Sequence, residues 1–128
     1  MPETTVTLFV DDQGRCPFVD WLYTLPPKPR DKVLGYVERL EQFGNELRRP
    51  IADSLGKGIM ELRPSYMGIN YRVLYFFSGR NAVVVSHGIT KESEVPLREI
   101  ELAVERMEQF RINPAKYSYQ RPDLWRRR

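Results

Sequence analysis

Apolar residues recur along this chain with two different periods, and each change of period marks a new element. Residues 4–10 (TTVTLFV) are rich in β-branched side chains and run into Asp11-Asp12-Gln13-Gly14, a strand followed by a turn. Over residues 17–25 the stripe Phe18, Trp21, Leu22, Leu25 has helical spacing behind a proline suited to a first turn. The PPKP run at 26–29 breaks that helix. A second follows from about Arg30 to Phe43, with Val33, Tyr36, Val37 and Leu40 on one face and Gly44 as its C-terminal cap. The two helices are expected to pair as a hairpin. Residues 45–58 read as a polar, turn-rich connection. Strands then follow at 59–63, at 69–77 and from 82 to about 88, with turns at 64–68 and at SGRN, and connections this short force antiparallel pairing. Pro96 opens a last helix whose stripe is Leu97, Ile100, Val104 and Met107. Strand, two helices, three further antiparallel strands and a helix make an α+β fold. Residues 1–112 are expected to form one domain, and residues 113–128 a basic, aromatic C-terminal tail.

Composition narrows the class. With 128 residues, 41% hydrophobic and 29% charged, the chain can bury a real core and is not of disordered type. No apolar run approaches the ~18 residues needed to cross a membrane, and the start lacks a basic-then-apolar leader, so a cytoplasmic protein without a membrane partner is expected. The single cysteine, Cys16, excludes an internal disulfide and any cysteine-cluster metal site. A net charge of +3 conceals acidic flanks around a basic middle: residues 48–91 hold 7 Lys/Arg against 2 Asp/Glu, and residues 116–128 hold 5 against 1. That asymmetry suits a polyanion meeting one face.

The spaced set GKGIMELRPSYMGINYRVLYFF, HGITKESEVPLREIELA and the earlier PFVDWL resembles the HigB-like branch of the RelE/ParE toxin superfamily, over roughly residues 4–109. The resemblance implies a RelE/ParE-like fold and the toxin half of a type II toxin–antitoxin pair. Many such toxins are endoribonucleases that cut messenger RNA in the ribosomal A site, whereas ParE-like relatives poison DNA gyrase. It also implies a cognate antitoxin, often a helix-turn-helix protein, with the ribosome and mRNA as further partners. Arg72 falls where RNA-cleaving members carry an arginine on the scissile phosphate, Arg63 on a basic position of the neighbouring strand, and Lys91 near the basic residue after the last strand. The chain departs from the best-known members at Ile59 and Glu61, where they place lysine, and at Pro96, where they place tyrosine.

The chemistry of RNA cleavage gives these residues roles. A 2′-OH must lose its proton, the phosphate's growing charge must be stabilised, and the 5′-oxygen must gain a proton. A guanidinium fork suits the second task, which assigns it to Arg72 and Arg63. The alternative for either arginine is an ion pair with Glu61 across the ladder. His87, the only histidine, is the candidate acid or base, with a structural role at the strand end as its alternative. Tyr66 could stack on a base, and Arg126 and Arg127 in the tail could bind RNA beside Trp125. On the strand at 69–77, Asn70, Arg72, Leu74 and Phe76 share one face, expected to line a cleft, while the Tyr71 face packs beneath helices. No cofactor or metal is expected. GKG at 56–58 lacks the rest of a phosphate loop, and the basic middle offers only Asp53 and Glu61 as carboxylates. A gyrase-directed toxin and an inactive partner-binding regulator stand as the rival readings.

Overall fold

The computed structural model describes residues 4–91 and 94–119, the side chain of Lys91 excepted. Its strands are β1 (Thr5–Leu8), β2 (Ala52–Gly56), β3 (Ile59–Leu62), β4 (Ser65–Tyr66), β5 (Ile69–Phe77) and β6 (Ala82–Lys91). Its α-helices are α1 (Pro17–Leu22), α2 (Pro27–Phe43) and α3 (Leu97–Ile112). They form a mixed α+β fold on one sheet of order β1-β6-β5-β3-β2, with β4 pairing β5 off that path.

Six strands replace the four expected. β2 lies inside the stretch read as a polar connection, and β4 inside the turn at 64–68. Neither carries a periodic signal: ADSLG has one buried residue, Ala52, and β4 is two residues long. Each exists through its ladder with β3 or β5, which supplies the hydrogen bonds that composition does not reveal. β3, β5 and β6 pair antiparallel as expected, while β1 runs parallel to β6. Gly44 ends α2 with a positive φ of 49°, as a C-terminal cap should. The prolines of PPKP do not delay the second helix. Pro27 and Pro29 occupy its first turn, where a missing N–H costs nothing. The expected helix hairpin gives way to a different packing, because α1 lies against β6.

β5 separates two cores. Tyr71, Val73 and Tyr75 pack with α1 and α2, whereas Leu74 and Phe76 pack with Ile59, Val84, Ala103 and Phe110 beneath α3. The face expected to be open is therefore half covered. Only its Asn70–Arg72 end remains uncovered. Residues 113–119 also pack onto the domain. Buried Tyr117 stacks on Phe9 with ring centroids 5.3 Å apart and donates its hydroxyl to Asp12 at 2.8 Å.

A bulge in β6 decides which way its second half faces. Leu74 pairs with His87 but Tyr75 pairs with Val85, so Ser86 is the extra residue and the alternation reverses there. Val85 faces the α1–α2 core, His87 faces α3, and Gly88 faces α1. The indole of Trp21 lies so close to Gly88 that a Cβ there would overlap its ring. The same indole donates its N–H to Thr90 at 3.4 Å and packs edge-on to Tyr71. Gly88→Ala is expected to destabilise the fold by about 1–3 kcal/mol through overpacking. Gly35→Ala, where a methyl meets nothing within 4 Å, should instead stabilise α2 by about 0.5–1 kcal/mol. Urea melts of the two variants check this; a Gly88→Ala midpoint equal to wild type would refute the close packing.

Candidate active-site cleft

β3 and β5 are adjacent and antiparallel, and Glu61 pairs with Leu74 in their register. That places Glu61, Arg63 and Arg72 on the sheet face that α3 leaves uncovered. They form the floor of a cleft of about 600 Å³, which Asn70 also lines. Leu55, Val95 and Ile100 supply an apolar wall, and Arg49, Asp53 and Glu94 a charged rim.

The floor is a carboxylate held between two guanidinium groups. Arg63 donates from Nη1 to Glu61 Oε2 at 2.7 Å, and Arg72 Nε lies 3.4 Å from Glu61 Oε1. The Arg72 fork is held further by a bond from Nη1 to the Tyr71 carbonyl at 2.8 Å. Glu61 is 3% exposed, and its Oε1 accepts no hydrogen bond among the described residues. The two arginines differ in freedom: the Arg72 side chain is 10% exposed and that of Arg63 31%. Burial pulls the Arg72 guanidinium below its usual pKa and the charge of Arg63 adds to that, while Glu61 opposes both. At the rim, Arg49 donates from Nε to Asp53 Oδ2 at 2.7 Å, and that bond holds the Asp53 carboxyl below the usual range.

Arg63 and Arg72 are thus both ion-paired with Glu61, Arg72 from across the ladder. That pairing does not take them out of the cleft, because one carboxylate cannot saturate two forks of five donors each. Nothing in the sequence marks Arg49, which sits in a polar, turn-rich stretch, and only the β2–β3 ladder carries it to the cleft.

His87 is elsewhere. It lies beneath α3, is 6% exposed and does not line the cleft. Its Nδ1 is 2.7 Å from the Ser86 hydroxyl and its Nε2 is 3.0 Å from Glu99 Oε1. The neutral tautomer that satisfies both donates from Nε2 to the carboxylate and accepts the serine proton at Nδ1. Arg106 of α3 reaches Ser86 Oγ at 3.4 Å and stacks over Phe9. The cluster fastens α3 to the bulge. Tyr66 is also separated from the arginines. It packs on the α1–α2 side, against a groove lined by Pro26, Pro29, Met67 and Ile69. Asn70 pairs with Lys91 across the ladder, which brings the Lys91 backbone to the cleft's end. Arg126 and Arg127 lie outside the described residues.

Burial lowers the His87 pKa first, with Arg106 adding to it and Glu99 opposing. A folded pKa below the unfolded value means that the unfolded chain takes up the proton first. The stabilisation is therefore complete above pH ~6.5 and is lost as the pH falls below it. Melting temperature should drop between pH 7.5 and 5.5, and His87→Gln should flatten that slope. A wild-type profile that stays level or rises on acidification would contradict the sign.

No curated protein matches the chain. A family model does, that of phage-derived protein Gp49-like (DUF891), across residues 20–108. The match runs from within α1 to within α3 and includes every strand that lines the cleft. Covering 89 of the 128 residues, it identifies the chain as a member of the Gp49-like family of phage-derived proteins, a family associated with RelE-like and other toxin-like proteins.

Proposed function

We propose that this protein is the toxin of a type II toxin–antitoxin pair, of HigB-like type, acting in the cytoplasm as an endoribonuclease on messenger RNA in the ribosomal A site. One observation carries the reading: two guanidinium groups oriented by a single buried carboxylate at the floor of a cleft. Arg72 is the fixed member. Its fork is oriented before any ligand arrives, as transition-state stabilisation of a phosphate requires. Arg63 is the freer member, able to exchange part of its contact with Glu61 for a phosphate oxygen. The Gp49-like family's association with toxin-like proteins supports the same reading, and the departure at Glu61 from the lysine of the best-known members becomes the anchor of both arginines. Lys91, following Ile89 and Thr90 on β6, is assigned to the same phosphate. His87 keeps a place in the reaction only through α3, whose seat it fixes. A cognate antitoxin, often a helix-turn-helix protein, is the partner that would silence the cleft. Among the described residues no helix is long and apolar enough to cross a membrane, and none of the His, Cys, Asp and Glu side chains form a group suited to a metal ion.

Expression without an antitoxin, followed by mapping of mRNA 5′ ends over minutes, tests this. New ends should cluster within translated frames. Arg72→Ala should reduce them about 10²–10³-fold, the cost of one transition-state donor. Arg63→Ala should reduce them in the same direction and also lower stability, because it removes the 2.7 Å bond to buried Glu61, so a urea melt must first show that the variant is folded. Growth arrest without new ends would favour the gyrase-directed reading, and no arrest would favour the inactive regulator.

The tail has its own test. Deleting residues 120–128 removes Arg121, Arg126, Arg127 and Arg128 while leaving Tyr117 on Phe9. We expect weaker ribosome binding and a salt dependence shallower by several counterions. Identical binding at every salt concentration would leave the tail without that role.

A further inference from the structure

The charge of the cleft floor is set by three side chains. Arg63 and Arg72 contribute two positive charges and Glu61 one negative, leaving one net positive charge beneath the opening. The surroundings leave that net charge unchanged: Arg49 and Asp53 neutralise each other through a 2.7 Å bond, and the formal charges of Glu94 and Lys91 are opposite. Glu61 is buried with Oε1 free of any hydrogen bond among the described residues, so its charge is weakly screened and acts on whatever the arginines hold. A ligand bearing one negative charge neutralises this floor. A ligand bearing two brings a second negative charge close to a buried carboxylate that no remaining cation of the floor offsets.

We propose that Glu61 is the specificity-determining residue of the cleft, matching it to the monoanion of an internal phosphodiester and against the dianion of a terminal phosphate or a phosphomonoester. This inference rests on the reading that Arg63 and Arg72 bind phosphate, and it deepens that reading by naming which phosphate. Glu61 acts through the arginines and touches no reacting atom. Without it, two adjacent guanidinium groups would present two positive charges and prefer dianions, which abound in a cell as free nucleotides and phosphorylated chain ends. With it, the cleft favours the linkage in the interior of a strand.

The test uses the full chain and two small probes at constant ionic strength and pH 8. Dimethyl phosphate is a monoanion there, and methyl phosphate a dianion, because the second pKa of a phosphate monoester is about 6. The arginine side-chain Nε–Hε NMR signals of Arg63 and Arg72 report binding directly. In the wild type, dimethyl phosphate should shift both signals at lower concentration than methyl phosphate. In Glu61→Gln, which keeps the shape but raises the floor to two positive charges, the order should reverse, with the affinity ratio changing about tenfold. A purely structural role for Glu61 would lower stability without moving that ratio.

Tighter wild-type binding of methyl phosphate would overturn the proposal, and so would an unchanged ratio in a folded Glu61→Gln variant. Both results leave the arginines as phosphate ligands. If neither probe moves either arginine signal in the wild type, the phosphate reading of the cleft falls together with the inference. The wild-type comparison needs no variant to fold, so it can overturn the proposal even if Glu61→Gln does not fold.

Discussion

A carboxylate cannot be buried alone, and the cleft is organised around that constraint. Glu61 is almost wholly removed from water, at a desolvation cost of several kcal/mol for an unpaired ion. Arg63, just past the end of Glu61's own strand, and Arg72 on the neighbouring strand offset that cost together. The arrangement fixes both guanidinium groups on one sheet face and commits β3 and β5 to one register. It also supplies the reason why a strand as apolar as β5 tolerates an arginine near its centre.

β5 is the element through which the rest is divided. Its Tyr71, Val73 and Tyr75 face belongs to the core under α1 and α2, and its Leu74 and Phe76 belong to the smaller core under α3. α3 covers one end of the second face and stops short of the other, so the boundary of that helix sets the size of the cleft. Its seat is polar as well as apolar: Glu99 meets His87 and Arg106 meets Ser86, while Ala103 and Phe110 pack against the sheet. Cleft and helix seat are thus parts of one surface, and a change in either is felt by the other.

The chain's positive middle segment does not translate into a uniformly basic cleft. Every arginine that lines it has a carboxylate partner within 3.4 Å. What distinguishes the cleft is orientation: its cations are held in place, one of them buried, beside an apolar wall of Leu55, Val95 and Ile100. A fixed guanidinium needs no reorganisation when charge develops on a ligand, which is the property that phosphate chemistry requires.

Periodicity, proline placement and the shortness of the connections determined the three helices, the long strand at 69–77, the antiparallel pairing of β3, β5 and β6, and the presence of arginines on a sheet face. These follow from local rules, the two-residue alternation of strands and the three-to-four-residue stripe of helices, acting on residues close in sequence. Tertiary structure decided the remainder. β2 and β4 exist only through the ladders they join, so ADSLG and Ser65–Tyr66 carry no signal of their own. The bulge at Ser86 turns His87 away from the side that its alternation with Val85 would give it, because an unpaired residue reverses the phase of a strand without leaving a mark in composition. Tyr66 and Arg72 lie six residues apart yet on opposite faces of the sheet, since the β4–β5 turn folds one back over the other. The sharing of Glu61 by two arginines likewise depends on the register between β3 and β5, a long-range choice that no single segment encodes.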